Sequence, residues 1–257
     1  MTKAGIRNWV LLLVILCIAC DRGRDKQDIT RERVICIADS LVMEHLVFKP
    51  VQIGEESLLE QHLKELGLVD ITIQEPSIAV HMVYATPYNF VGKVLYKDLR
   101  KAFMLPETAQ KLVDAQKRLK AIRPDLNIIV YDAVRPLSVQ QDMWNIVKGT
   151  DKMPFVSNPA KGGGLHNYGA AVDVSLMDCT GVPLEMGSRY DYFGDEARVD
   201  MEEEMFKQQR ITRRELDNRR LLRRVMTEAG FIPLQSEWWH FNLMSRQQAL
   251  ETLKLIE

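Results

Sequence analysis

Three short stretches of this chain concentrate residue types that bind metals and move protons. They are Gly164-Leu165-His166-Asn167-Tyr168-Gly169-Ala170-Ala171-Val172-Asp173, Glu237-Trp238-Trp239-His240 and Asp132-Ala133-Val134-Arg135-Pro136. Catalytic zinc takes three protein ligands from histidine and carboxylate side chains and keeps a fourth position open. His166, Asp173 and His240 would supply that set, for one Zn2+ per chain, and leave the ion net positive. A positive ion lowers the pKa of water and polarises a carbonyl. Glu237, three residues before His240, would then take the water's proton and pass it to a leaving amine. Asp173 stands between Val172 and Val174, and an unpaired carboxylate in apolar surroundings is costly, so it needs a cation or hydrogen bonds. Glu237 beside two tryptophans has the same need. His45, His62 and His81 sit in no such grouping and read as ordinary surface or core residues.

These side chains need elements to hold them. Ser57 to Leu66 reads as a short helix ended by Gly67, and the alternation in Val69-Asp70-Ile71-Thr72-Ile73-Gln74 as a strand. Glu107 to Arg123 has helical spacing at Leu112, Ala115, Leu119 and Ile122 and is closed by Pro124. Leu126 to Tyr131 is a buried-strand run, and a helix over Ser138 to Val147 follows, with Ser138 as its cap. Asn158 to Gly164 must be a loop, and Ala170 to Leu176 is extended. Thr212 to Ala229 carries a capping box (Thr212 with Glu215), a staple (Ile211 with Leu216) and a terminating Gly230. Its arginines, Arg213, Arg214, Arg219, Arg220, Arg223 and Arg224, read as a solvated face. Phe231 to Met244 reads as a final strand. Residues three apart on a strand face opposite ways, so Glu237 and His240 could share a site only through a bulge or a strong twist. Helices and strands without a regular βαβ repeat point to an α+β fold: one domain whose mostly antiparallel sheet is flanked by helices.

Composition limits the partners. The 257 residues hold 34 Lys plus Arg against 35 Asp plus Glu, net −1, which offers no general attraction to nucleic acid or anionic lipid. Residues 1–20 read as a targeting segment. Lys3 and Arg7 precede the apolar run Trp9 to Ala19, which is shorter than the ~20 residues a spanning helix needs. Ile18-Ala19-Cys20 resembles a bacterial lipoprotein cleavage box, with Cys17 where the pattern usually has Leu. On that reading the chain is exported to the periplasm or cell envelope and held at the membrane through a lipidated Cys20. Residues 21–33 would form a polar tether, 34–80 an extension of unassigned role, and 81–257 the catalytic domain. Cys36 and Cys179 read as structural, and spacing leaves open whether they pair.

From about His81 to Leu243 the motifs resemble, in order, those of the D-alanyl-D-alanine dipeptidases, zinc peptidases known from vancomycin resistance and D-alanine recycling. The family pattern SxHxxGxAxD followed by ExxH is matched by HxxGxAxD and Glu237-Trp238-Trp239-His240. Other matches are Tyr84-Ala85-Thr86 with Asn89-Phe90 and Gly92, Met186-Gly187-Ser188-Arg189-Tyr190-Asp191, and Asn218-Arg219-Arg220 through Gly230-Phe231. The resemblance implies His166, Asp173 and His240 as zinc ligands, Glu237 as general base and Arg135 as the oxyanion's partner, held by Asp132. It also implies that Tyr84 and Asp191 contact the free ammonium of a D-amino-acid dipeptide. The chain departs from the pattern at Gly164, where the family's Ser contributes to substrate contacts, which bears on specificity rather than on metal binding. Two other readings stand beside this one. A D,D- or L,D-carboxypeptidase acting on muropeptides would use a similar motif. A zinc-stabilised, inactive peptidoglycan-binding module would lack the base or the arginine, and both are present. Oligomeric state leaves no mark on the sequence.

Overall fold

The computed structural model describes residues 56–257. The expected targeting segment 1–20, the tether 21–33, Cys20 and Cys36 lie outside the described residues. The helices are α1 (Leu58–Glu65), α2 (Ile71–Gln74), α3 (Pro106–Ile122), α4 (Leu137–Val147), α5 (Glu202–Lys207), α6 (Arg213–Glu228) and α7 (Arg246–Thr252). The strands are β1 (Val69–Asp70), β2 (Ala79–Val80), β3 (Phe103–Met104), β4 (Leu126–Asp132), β5 (Ala171–Asp178), β6 (Ile232–Pro233) and β7 (His240–Asn242). Five strands form one sheet in the order β2-β4-β5-β7-β6, antiparallel except for the β2–β4 pair, and β1 pairs with β3 separately. The fold is α+β.

Side-chain alternation gives the sheet two different faces. Ile128 and Val130 of β4 and Val172, Val174 and Leu176 of β5 enter the main core with Leu112 and Leu119 of α3 and Leu222, Val225 and Met226 of α6. Ile129 and Tyr131 point to the other face and pack with Val83 and Tyr190. Asp173 and Ser175 alternate with the valines and so belong to that second face. Residues before 81 share the same core: Leu63, Ile71 and Ile78 are fully or almost fully buried in it.

Several elements differ from the sequence pattern, for local reasons. The strand expected over Val69 to Gln74 stops at Asp70, whose carboxylate accepts from Thr72 N and starts the turn of α2. Ser138 does not cap α4; Pro136 holds the N-cap position, and a proline just ahead of the first turn forgoes a donor the helix does not need. The final strand is a hairpin of two short strands with 234–239 between them. On α6 the capping box forms as expected, but Arg219 is not solvated: it is 1% exposed.

Candidate active site

The second face of the sheet carries the chemistry. A one-residue bulge at Tyr131 shifts the β4–β5 register, so that Asp132 lies opposite Asp173 instead of Val172. Bulges re-aim side chains in this way. Asp173 is in turn paired with His240 on β7. Asp132, Asp173 and His240 therefore stand in one row across three strands. The fourth member, His166, comes from the short helical turn Leu165–Tyr168 ahead of β5. That turn is stitched to the end of β4: Arg135 N donates to His166 O (3.0 Å), and Asn167 Nδ2 donates to Arg135 O (2.8 Å). Gly169 closes it at φ 67°. A Cβ there would also press within 3.2 Å of Leu105 N, so two independent demands fix glycine in the motif.

Three donor atoms converge. His166 Nε2 lies 3.2 Å from Asp173 Oδ1 and 3.2 Å from His240 Nδ1, and His240 Nδ1 lies 2.9 Å from Asp173 Oδ1. Ligand atoms about 2.0–2.1 Å from a tetrahedral zinc stand roughly 3.3 Å apart, so this triangle, slightly contracted, fits such an ion. The far nitrogens are both engaged. His166 Nδ1 donates to the Ala133 carbonyl (2.7 Å) and His240 Nε2 to Asn242 Oδ1 (2.8 Å), which orients the rings so that Nε2 and Nδ1 respectively face inward. Tyr190 donates to Asp173 Oδ2 at 2.8 Å. Burial alone would raise the Asp173 carboxyl, but His166 and His240 hold it well below the usual range. Burial also opposes charge on His240, and Asp173 outweighs it, raising the ring to about 9.

Glu237 reaches the centre without a strand bulge. It sits in the turn before β7, its carboxylate 4.0 Å from His240 Nδ1 and its side chain 17% exposed. The two tryptophans pin that turn: Trp239 O accepts from Val174 N (2.9 Å), while Trp238 N donates to Ala197 O (2.9 Å) and Trp238 Nε1 to Ser188 Oγ (2.9 Å). Burial raises the Glu237 pKa above that of an ordinary glutamate. Arg135 donates from Nε and Nη2 to Asp132 Oδ2 (3.0 and 2.5 Å) and from Nη1 to Gln140 Oε1 (2.9 Å). Burial works against its charge, but Asp132 keeps it firmly protonated. Asp132 is itself fully buried and accepts from Tyr96 as well (2.6 Å). A guanidinium has five N–H groups, so Arg135 keeps unengaged donors for a ligand in the cleft it lines.

At the cleft's far wall, Tyr84 donates to Asp191 Oδ1 (2.8 Å), and Asp191 holds φ 60°. Its burial, partly offset by the Tyr84 hydrogen bond and reinforced by the Asp173 charge, pushes the carboxyl up to about 7. All eight residues singled out in the sequence thus meet around one cleft of about 480 Å³, Asp132 lying behind Arg135. Sequence reasoning missed Tyr190, Asn242, Gln140 and Tyr96, which orient the others. Tyr190 adjoined Asp191 in a matched stretch; the rest had no local signal. Arg219 was misread. Its guanidinium donates to the carbonyls of Met186 and Glu196 and, more weakly, of Arg198 (3.5 Å), joining both ends of the loop that carries Tyr190 and Asp191.

A family model described as peptidase M15, D-ala-D-ala dipeptidase, matches residues 64–254. The chain is 30% identical over 176 residues to a D-alanyl-D-alanine dipeptidase of Escherichia coli, covering 68% of this chain and 84% of that protein. It is 28% identical over 185 residues to one from Synechocystis (61% and 74% covered), and 28% identical over 176 residues to one from Enterococcus faecium (62% and 83%).

Proposed function

Since the chain belongs to the peptidase M15 family, we propose that it hydrolyses D-alanyl-D-alanine to free D-alanine with one zinc ion held by His166, Asp173 and His240. The observation that carries this reading is the convergence of that donor triangle with Glu237 and Arg135 in one cleft. Zinc bound there would polarise the scissile carbonyl and make water acidic enough to attack at neutral pH. Glu237 takes the attacking water's proton and returns it to the departing amine; its raised pKa suits both transfers. Arg135, immobilised by Asp132 and Gln140, presents its remaining N–H groups to the oxyanion, at no reorganisation cost when charge develops. Asp191, beside Tyr84, receives the substrate's free ammonium. A buried carboxylate at that place favours a dipeptide over a longer peptide, which would bring a neutral amide to it.

The test is amine release from D-Ala-D-Ala with and without a chelator and added zinc, set beside a pentapeptide ending in D-Ala-D-Ala. Zinc-dependent cleavage of the dipeptide in preference to the pentapeptide is expected. Preference for the pentapeptide would make the protein a carboxypeptidase instead.

Export to the periplasm or cell envelope, with a lipid on Cys20, is part of the same proposal. It rests on the amino-terminal pattern alone. Labelling of the full chain with a fatty acid, abolished in Cys20→Ser, is the corresponding test.

A further inference from the structure

The wall of the cleft can be followed from the ammonium anchor by successive contacts. Asp191 accepts from Tyr84, and the Arg135 guanidinium lies 5.1 Å from the Tyr84 ring centre. Arg135 Nη1 donates to Gln140, and Gln140 Nε2 donates to the Ser157 carbonyl at 2.8 Å. Gln140 is 1% exposed, so this link is a fixed strut. Ser157 then lies directly against Gly164: a Cβ on Gly164 would stand 2.9 Å from Ser157 Oγ and 3.3 Å from its Cβ. The serine hydroxyl therefore fills the space a side chain at 164 would need. Both residues line the cleft, and Ser157 Oγ has no hydrogen-bond partner among the described residues. On the other side of the same glycine run, Arg246 reaches the carbonyls of Lys161 and Gly163, so a guanidinium also borders this end.

We propose that Ser157 is a specificity residue of this chain, its hydroxyl occupying the space that Gly164 leaves and donating from there to the C-terminal carboxylate of the dipeptide. The inference rests on the dipeptidase reading. A two-residue substrate spans about 7 Å when extended. With its ammonium at Asp191 and its scissile carbonyl beside Arg135, its second residue runs on toward Gln140, Ser157 and Gly164. Ser157 is exposed, its carbonyl held by Gln140, and its hydroxyl, with a guanidinium nearby and no partner among the described residues, can turn to a carboxylate there. The pairing is reciprocal: Ser157 can hold this place only while position 164 has no side chain.

Four proteins decide it: the unaltered chain, Ser157→Ala, Gly164→Ser and the double variant, each assayed with D-Ala-D-Ala and with its C-terminal amide, and each checked for zinc content. Loss of one hydrogen bond to a charged group should raise KM for the free acid about tenfold in Ser157→Ala, with little change for the amide and zinc retained. Gly164→Ser should be impaired by crowding against Ser157. The double variant should recover much of that loss, since it removes the tighter of the two contacts and supplies a hydroxyl from the other side. An unchanged KM in Ser157→Ala, equal effects on acid and amide, or a double variant no better than Gly164→Ser would each overturn the proposal. An unaltered chain that binds zinc and cleaves neither compound would remove the dipeptidase reading itself, and this inference with it.

Discussion

Tyr190 donates its hydroxyl to Oδ2 of Asp173, leaving Oδ1 as the oxygen that faces His166 and His240. One phenol thus decides which carboxylate oxygen is offered to a metal, and it arrives from a loop remote in sequence from all three ligands. Outer-shell hydrogen bonds of this kind are worth ~10–100-fold in metal affinity. Tyr190→Phe should keep the fold and weaken zinc binding by a factor in that range, read by competition with a chromophoric chelator. An unchanged affinity would show that the sheet pairing alone orients Asp173.

Glu237 belongs to no such ligand set: its carboxylate stands 4.0 Å from His240 Nδ1, outside the donor triangle. Glu237→Gln keeps size and shape while removing the base. Turnover should fall by ~10²–10⁴ with zinc stoichiometry intact. His166→Ala and His240→Ala should instead lose the metal. Retained turnover in Glu237→Gln would take the residue out of proton transfer.

His166, Asp173, His240, Glu237 and Arg135 stood out in the sequence as members of three short segments rich in metal-binding and proton-moving residue types, whose motifs resemble those of a known family, and the structure gathers them around one cleft. Gly169 in the left-handed region, the alternation of Val172, Asp173 and Val174, and the capping box of Thr212 with Glu215 are all decided within a few residues. What was not legible depends on distant partners. The Glu237–His240 spacing looked wrong for a strand, because the turn that reconciles them is pinned by Val174, Ala197 and Ser188. The bulge at Tyr131 shows only when β4 meets β5. Arg219 sits among five other arginines on one helix, and nothing in that run marks the one whose face meets three backbone carbonyls.

Asp191 gives the reaction a pH dependence whose sign can be worked out. Burial lifts its carboxyl from an ordinary value near 3.8 to about 7, so below about pH 7 the free protein carries it neutral. Binding an ammonium then requires expelling a proton, and KM should rise toward tenfold per pH unit as pH falls below 7. Above that the curve should flatten until the substrate amine itself deprotonates, near pH 8. The same shift makes the charged side chain a cost to the fold: its effect is absent below about pH 4 and grows as pH rises to about 7. Asp191→Asn, which tolerates the positive φ, should therefore flatten the acid limb of KM, raise KM at pH 8 and raise the melting temperature there. A melting temperature lowered at pH 8 would mean that the Asp191 carboxylate is better satisfied than its burial implies.

Arg219 ties together the loop that presents Tyr190 and Asp191, and its removal should be felt in two separable ways. Arg219→Met keeps the volume but leaves the carbonyls of Met186, Glu196 and Arg198 without this donor. Glu202 retains Arg223, to which it is paired at 2.8 Å, so no carboxylate is abandoned. Stranding buried acceptors costs about 1–3 kcal/mol each when they stay dry, so a fall of a few kcal/mol in unfolding free energy is expected from denaturant titration. The second effect is on the anchor: a loosened loop should raise KM more than it lowers kcat. Combining Arg219→Met with Asp191→Asn separates the two. If Arg219 acts on substrate through Asp191, the KM effect of Arg219→Met should largely vanish in the Asp191→Asn background while the stability loss persists. Full additivity in both quantities would confine Arg219 to holding the fold.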